Sequence, residues 1–169
     1  MLLHHVSERS VHCFIATISD TRTVQTDKSG QLIKQLLQEK NHSVVEHMIV
    51  RDDQYEIEAI IDQAMQREDV EAILLTGGTG ISSRDVTIEV VERKVVKTIP
   101  GFGEIFRMLS YTEDIGSAAI MSRATAGVLE KNQLIFSMPG SSGAVKLAMN
   151  QLILPEISHM VHELNKDIV

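Results

Sequence analysis

Residues 70–85 read Val-Glu-Ala-Ile-Leu-Leu-Thr-Gly-Gly-Thr-Gly-Ile-Ser-Ser-Arg-Asp. A short apolar run such as the first part of this stretch is typical of a strand buried in a parallel sheet. The run leads into Gly77, Gly78 and Gly80, whose backbone N–H groups can face a ligand without obstruction from a Cβ atom. Ligands in open α/β sheets bind beyond the carboxyl ends of the strands. The stretch therefore predicts a strand, a ligand-binding loop and a helix that starts near Val86.

The glycine loop has other interpretations, because short glycine motifs also occur by chance in tight strand-to-helix connections. It is not a P-loop, since no Gly-Lys-Ser/Thr follows it. It approaches the dinucleotide motif G-x-G-x-x-G, but Ser83 stands at the third glycine and the loop follows the third predicted strand, which disfavours a dinucleotide fold. Asp85 adds a carboxylate that a phosphate cradle alone does not need. This combination favours nucleotide chemistry assisted by Mg²⁺.

Composition predicts one soluble, ordered domain over residues 1–169, with a loose N-terminal segment at residues 1–9. Hydrophobic residues make up 43% of the chain, yet no apolar stretch reaches the roughly 18 residues that cross a membrane. The N-terminus lacks the features of a signal peptide, so we expect a cytoplasmic protein. The net charge of −7 argues against a nucleic-acid partner. Cys13 lies within a predicted strand, where a buried and unreactive thiol is expected.

Alternating strand and helix patterns along the chain predict an α/β fold with a mostly parallel sheet. We expect strands at 11–18, 43–50, 70–76, 118–121 and 133–138. We expect amphipathic helices that contain Leu32 to Leu37 and Ile57 to Met65, and further helices at 87–94, 103–112 and 144–164, with a break at Pro100-Gly101 and a bend at Pro155.

A second glycine-rich turn, Pro139-Gly140-Ser141-Ser142-Gly143, also follows a predicted strand. If both loops lie on the same edge of one sheet, a cleft between them could hold two parts of one extended anionic ligand. Two converging loops favour a functional site over a purely structural connection.

The order of the motifs, from about residue 10 to 164, resembles the molybdenum cofactor biosynthesis proteins of the MoaB and MogA type. The shared segments are Ser19-Asp20-Thr21, Asp27-x-Ser29-Gly30, Thr76-Gly77-Gly78-Thr79-Gly80 with Arg84-Asp85 and Thr87, Pro100-Gly101-Phe102-Gly103-Glu104, Phe106-Arg107, Ser110, Ser122-Arg123-Ala124 and Pro139-Gly140-Ser141. No single segment is specific for this family, but the occurrence of all of them in this order is specific.

The resemblance implies a three-layer α/β/α fold that binds molybdopterin, the pterin that carries a dithiolene and a phosphate. Related domains adenylylate molybdopterin with Mg·ATP and release pyrophosphate. By the family pattern, Thr76, Gly77, Gly78, Thr79 and Gly80 hold the pterin phosphate. The pattern places Ser110 in the pterin pocket, and Pro139, Gly140, Ser141 and Ser142 along the same cleft.

The resemblance also implies that Asp52 and Asp85 are the catalytic acids near Mg²⁺ and the reacting phosphates, since their 33-residue interval matches the active adenylyltransferases. Either Asp52 or Asp53 could instead be a helix N-cap. The alternative function is a carrier that binds molybdopterin without turnover. From the resemblance and the apolar segments 104–120 and 144–160, we expect a homotrimer or homohexamer. A Gly78→Val variant should lose pterin binding while it stays folded.

Overall fold

A six-stranded sheet with helices on both faces forms the centre of the protein, of which the computed structural model describes residues 9–168. The strands are β1 His12–Ile18, β2 Ser43–Val50, β3 Ala72–Thr76, β4 Val95–Thr98, β5 Thr125–Leu129 and β6 Leu134–Met138. The α-helices are α1 Lys28–Glu39, α2 Gln54–Met65, α3 Thr87–Lys94, α4 Pro100–Glu113, α5 Ser142–Ala148 and α6 Leu154–Asn165. A 3₁₀-helix spans Gly116–Met121, and a π-helical segment, Met149–Ile153, joins α5 to α6.

The strands follow the order β2-β1-β3-β6-β5-β4 across the sheet. The first four of these run parallel, and β5 is antiparallel to both of its neighbours. Thr17, Thr76 and Met138 pair in register, so β1, β3 and β6 end at the same edge of the sheet. The strand β2, which follows β1 in the chain, lies on one side of β1, whereas β3 and all later strands lie on its other side. The direction in which strands are added to the sheet therefore reverses between β1 and β3. The crevice where ligands bind in such sheets therefore opens at this carboxyl edge.

Two hydrophobic cores, one on each face of the sheet, define three layers. Alternate strand residues supply both cores: Ile15 and Leu74 face one layer, whereas Phe14 and Ile73 face the other. The first layer is formed by α1, α4, α5, the π-helical segment and α6, and the second by α2 and α3. The expected three-layer α/β/α fold with a mostly parallel sheet is thus confirmed.

The structure confirms the expected strands at 11–18, 43–50, 70–76 and 133–138 and corrects the region between them. The segment 118–121, expected to be a strand, lies in the 3₁₀-helix, and β4 and β5 were not expected. Pro100 stands in the first turn of α4, where backbone N–H groups have no partner within the helix, so the lack of an N–H in proline costs nothing. The helix break expected at Pro100-Gly101 is therefore the start of α4. The helix expected at 144–164 is interrupted by the π-helical segment just before the bend predicted at Pro155.

The N-terminal segment expected at residues 1–9 falls, except for Arg9, outside the described residues. No helix in residues 9–168 has both the length and the apolar character needed to cross a membrane.

Cys13 is fully buried in β1, as expected, and burial raises the pKa of its thiol to about 12. We predict that an aromatic disulfide reagent at pH 8 leaves the folded protein unlabelled and reacts with one thiol after denaturation, because thiolate is the reactive form. Rapid labelling of the folded protein would contradict this placement of the side chain.

Candidate functional site

The two glycine-rich loops meet at the carboxyl edge of the sheet. The Gly77 N–H donates to the Met138 carbonyl at 3.0 Å, and Thr76 Oγ1 donates to the Pro139 carbonyl at 3.1 Å. A Cβ atom on Gly140 would lie 3.4 Å from Gly77 Cα. Because β3 and β6 are parallel neighbours, the loops that follow them form adjacent walls of one cleft.

Both central glycines of the first loop are required by the backbone. Gly77 and Gly78 have φ angles of 101° and 66°, in the region that side chains disfavour. A Cβ atom on Gly78 would lie 2.2 Å from Thr87 Oγ1, so it would collide with the protein itself rather than extend into a ligand. The expectation that Gly78→Val stays folded and loses only pterin binding is therefore unsupported, and we now expect a loss of stability as well.

Three carboxylates lie at this edge of the sheet, close enough for two of them to influence the third electrostatically. Asp52 follows β2, Asp20 follows β1, and Asp85 ends the glycine loop. The Asp52 N–H donates to Asp20 Oδ1 at 3.1 Å, and Arg84 forms an ion pair with Asp20. Burial, together with the negative charges of Asp85 and Asp20, raises the pKa of Asp52, and the positive charge of Arg84 partly opposes this rise. The carboxyl edge of the sheet is thus rich in negative charge even without a bound ligand.

Asp53, and not Asp52, is the N-cap of α2. Its Oδ1 accepts the N–H groups of Tyr55 and Glu56 at 3.0 and 3.1 Å. Helix capping alone thus explains an acidic residue at position 53, and the Asp52 side chain remains free to interact with a ligand in the cleft.

Two buried oxygens beside Gly78 have no hydrogen-bond partner among the described residues. They are Asp52 Oδ1 and Thr87 Oγ1. Both lie within about 3 Å of the point that a Gly78 Cβ atom would occupy, at 3.1 and 2.2 Å respectively. A buried polar atom without a partner costs about 1–3 kcal/mol, so such atoms point to a ligand, an ion or water that would satisfy them.

Asp85 lies against the loop it ends. Its Oδ2 accepts from the N–H and the hydroxyl of Ser82 at 3.1 and 2.7 Å, which fixes the orientation of the carboxylate. A Cβ atom on Gly80 would lie 2.6 Å from the same oxygen. Asp85 is therefore held against the loop by these contacts.

Arg123 supports the loop from the side of β5. Its Nε donates to the carbonyls of Thr79 and Gly80 at 3.0 and 3.1 Å, and its Nη2 to the Asp85 carbonyl at 3.3 Å. It also pairs with Glu89, whose pKa it lowers mainly through hydrogen bonding. The carbonyls of Thr79 and Gly80 are thus bound on this side, and the N–H groups of residues 78–80 remain available to a ligand, whereas the Gly77 N–H is bound to the Met138 carbonyl.

The other expected site residues lie around the second loop. Ser141 caps α5 by accepting the Ala144 N–H at 3.1 Å, and Ser142 is the exposed first residue of that helix. Ser110 is buried in α4, one turn before Asp114, whose Oδ2 would lie 3.1 Å from a Cβ atom on Gly143. Ser110 therefore lies one helical turn from a residue that approaches the second loop.

Two residues of this edge were given no role from the sequence. Asp20 lies directly after a parallel strand, and this position was a usable signal because strand ends share an edge. Arg123 lies before a strand that the sequence did not predict, so its position gave no signal, and only its place in the shared segment Ser122-Arg123-Ala124 singled it out.

Comparison with known proteins identifies the relatives of this chain. The family model described as "Probable molybdopterin binding domain" matches residues 14–159. Molybdenum cofactor biosynthesis protein B of Bacillus subtilis is 56% identical over 157 residues, which cover 93% of this chain and 92% of that protein.

Solved structures agree with the sequence relatives. A crystal structure of molybdenum cofactor biosynthesis protein B superposes with a TM-score of 0.93 at 53% identity, covering 95% of this chain and 99% of the other. The tungsten cofactor synthesizing protein MoaB from Pyrococcus furiosus superposes with a TM-score of 0.83 at 34% identity, covering 92% of this chain and 98% of the other.

Proposed function

The chain belongs to the family of molybdopterin-binding proteins of molybdenum cofactor biosynthesis, and from this membership we propose that it adenylylates molybdopterin with Mg·ATP and releases pyrophosphate. The observation that carries this proposal is the buried, unpartnered Asp52 Oδ1 beside the glycine loop, within the electrostatic influence of Asp85 and Asp20. A carrier of a phosphorylated pterin has no use for carboxylates that repel its ligand. In a site that also holds a metal–nucleotide complex, by contrast, carboxylates are needed to bind the metal ion.

Magnesium fits the acids of this edge. Among residues 9–168, no three His, Cys, Asp or Glu side chains converge closely enough to hold a metal ion by themselves. Mg²⁺ is, however, commonly bound by one or two carboxylates together with waters and substrate phosphates. Asp52 and Asp85 would supply that pair of carboxylates, and the unpartnered Asp52 oxygen would then be satisfied by the metal ion. The bound ion would screen the triphosphate and stabilise the charge that develops during transfer.

The residues of the site then act mainly by position and charge. The N–H groups of residues 78–80 hold the pterin phosphate, since the Gly77 N–H is already bound to the Met138 carbonyl. At neutral pH this phosphate is already ionised, because its second pKa is about 6. An oxygen of that phosphate attacks the α-phosphorus of ATP, and the bond to the β-phosphate oxygen breaks to release pyrophosphate. No side chain has to remove a proton, so the lack of an assigned histidine or serine base is consistent with this chemistry.

The alternative is a pterin carrier without turnover, and equilibrium binding separates the two. We predict that isothermal titration detects saturable binding of both molybdopterin and the inert analogue α,β-methylene-ATP, the second only with Mg²⁺. The carrier predicts heat from molybdopterin alone. Failure of the analogue to bind at millimolar concentration with Mg²⁺ present would exclude the proposed reaction.

Asp52 and Asp53 are separated by a matched pair of variants. Asp53→Ala removes the cap of α2, so we expect a loss of about 0.5–2 kcal/mol in the free energy of unfolding and unchanged turnover. Asp52→Asn should abolish most turnover without this loss. The raised pKa of Asp52 means that its charge disfavours the folded state at neutral pH, so the neutral variant should melt at an equal or higher temperature.

The advantage of Asp52→Asn should disappear as the pH falls below about 4, where the carboxyl is protonated in folded and unfolded chains alike. Melting curves at pH 7 and pH 3.5, beside turnover at pH 7, test both variants. A destabilised Asp52→Asn at pH 7 would contradict the electrostatic account.

We also propose that the protein assembles as a homotrimer or homohexamer. Apolar side chains of α4, of the 3₁₀-helix and of the residues between them remain exposed, and we call them the α4 patch: Ile105, Met108, Tyr111, Ile115, Ile120 and Met121. Groups of exposed apolar side chains commonly mark interaction surfaces, whereas single exposed apolar residues do not. The second expected segment, 144–160, contributes less than we expected, because its apolar residues mostly pack in the chain's own core.

Light scattering tests the assembly. We predict a mass three or six times the 18.8 kDa of one chain, and a smaller species for a Met108→Glu, Ile120→Glu double variant. Tyr55→Glu, at an exposed residue of α2, is the matched control and should not change the mass. A stable wild-type monomer at micromolar concentration would refute the proposal.

A further inference from the structure

Thr87 is a buried polar residue on an otherwise apolar face of α3. It is the first residue of the helix, and the other buried residues of α3 are Ile88, Val90 and Val91. The Thr87 N–H donates to the Gly78 carbonyl at 3.1 Å, which joins the start of α3 to the glycine loop. Valine has almost the same shape as threonine and would suit an apolar position of this kind. The hydroxyl group of Thr87 therefore needs an explanation.

The Thr87 hydroxyl makes no hydrogen bond that stabilises the fold. Threonine hydroxyls in helices commonly donate to a carbonyl three or four residues earlier, or cap the start of the helix. Among the described residues, however, Thr87 Oγ1 has no partner, and α3 has no side-chain cap. A buried polar group without a partner costs about 1–3 kcal/mol of stability. The chain thus carries a hydroxyl that the fold alone does not require.

Asp52 Oδ1 is a complementary partner for this hydroxyl. It is the other unpartnered buried oxygen beside Gly78. Measured from the position of a Cβ atom on Gly78, Thr87 Oγ1 lies at 2.2 Å and Asp52 Oδ1 at 3.1 Å. The distance between the two oxygens therefore cannot exceed the sum of these two lengths, and glycine has no side chain to separate them. A hydroxyl can donate one hydrogen bond, and an ionised carboxylate can only accept.

We propose that Thr87 is a positioning residue that acts through Asp52. Its hydroxyl donates to Asp52 Oδ1 when the carboxylate binds Mg²⁺, and it holds the carboxylate in the orientation that the ion requires. Carboxylates that bind metal ions are themselves hydrogen-bonded, and the loss of such a partner typically lowers metal affinity about 10–100-fold. This inference rests on the proposed function, in which Asp52 binds the metal ion.

Binding of Mn²⁺, a paramagnetic substitute for Mg²⁺, tests the inference without ATP or turnover. Electron paramagnetic resonance measures the free Mn²⁺ during a titration of the protein. We expect the wild-type protein to bind Mn²⁺ saturably at millimolar concentration or below, and Thr87→Val to bind it about tenfold or more weakly. Thr87→Ser keeps the hydroxyl, so it should bind Mn²⁺ like the wild type.

Melting temperatures without metal separate this role from a structural one. Thr87→Val should melt at an equal or higher temperature than the wild type, because it removes an unpartnered buried hydroxyl. Ser137→Ala is the matched control: Ser137 Oγ is also buried without a partner, so this variant should neither melt lower nor change Mn²⁺ affinity. Thr17→Val should melt at a lower temperature, since Thr17 Oγ1 donates to Asp27 Oδ2 at 2.6 Å.

A double-mutant cycle tests whether Thr87 acts through Asp52. Asp52→Asn should itself weaken Mn²⁺ binding, and the addition of Thr87→Val should cause no further loss. Additive losses in the double variant, a wild-type Mn²⁺ affinity or a lowered melting temperature of Thr87→Val, or no saturable binding of Mn²⁺ by the wild type at millimolar concentration would each overturn the inference. A water that only fills the space between the two oxygens predicts the lowered melting temperature together with unchanged Mn²⁺ affinity.

The two proposals fail separately. A protein whose Mn²⁺ affinity depends on the Thr87 hydroxyl, but which never transfers an adenylyl group, keeps the metal site and loses the reaction. A protein that transfers the group, but binds Mn²⁺ equally well after Thr87→Val, keeps the reaction and loses the role of Thr87.

Discussion

Replacing Asp85 with Asn is expected to lower the rate of adenylyl transfer by about two to three orders of magnitude, with molybdopterin affinity nearly unchanged. The neutral isostere removes a charge that would hold Mg²⁺ near the reacting phosphates. The glycine-loop N–H groups that bind the pterin phosphate would remain. Ser82 bonds to one carboxylate oxygen only, so most of the local structure should persist.

Steady-state rates at saturating Mg·ATP and pterin titrations of the same preparation measure this split. Asp62→Asn, at an exposed acid that pairs with Lys94 away from the cleft, is the matched control and should retain full activity. A near wild-type rate for Asp85→Asn would remove Asp85 from the metal site and favour the carrier.

Replacing Gly77 with Ala is expected to produce the largest loss of stability of any single change in the loop, about 3 kcal/mol or more. The new Cβ atom would lie 2.3 Å from the Ile18 carbonyl oxygen, and the φ angle of 101° is unfavourable for any side chain. The backbone of β1 cannot move aside, since it is paired on both edges.

Gly101→Ala provides the contrast. A Cβ atom there meets nothing within 4 Å, and the residue lies in α4, where alanine is the better helix former by about 1 kcal/mol. Urea denaturation should therefore shift to a lower midpoint for Gly77→Ala and to an equal or higher one for Gly101→Ala. Similar midpoints for the two variants would contradict the loop geometry described here.

The parallel half of the sheet could be predicted from the sequence because its strands are apolar runs followed by turns. The antiparallel half could not. The strand β4 has only four residues, mostly exposed, and follows α3 directly. The strand β5 contains Gly127, a weak strand former, yet a Cβ atom there would lie 2.4 Å from Val95 Cγ1. The close approach of β4 and β5 that requires this glycine exists only in the folded protein.

The position of the site was predictable for the same reason, since the glycine loop and Asp52 both follow parallel strands. The finer assignments were not. The sequence could not separate Asp52 from Asp53, because either could cap α2, and the distinction depends on which side chain the helix N–H groups contact.

Transfer of label from α-³²P-ATP to molybdopterin tests the proposed reaction without further assumptions. The account predicts that the wild-type protein, with molybdopterin and Mg²⁺, forms labelled adenylylated pterin and an equal amount of pyrophosphate. It predicts neither product when Mg²⁺ is chelated. Tight binding of molybdopterin with no label transferred under these conditions would contradict the account and leave the chain a pterin-binding protein.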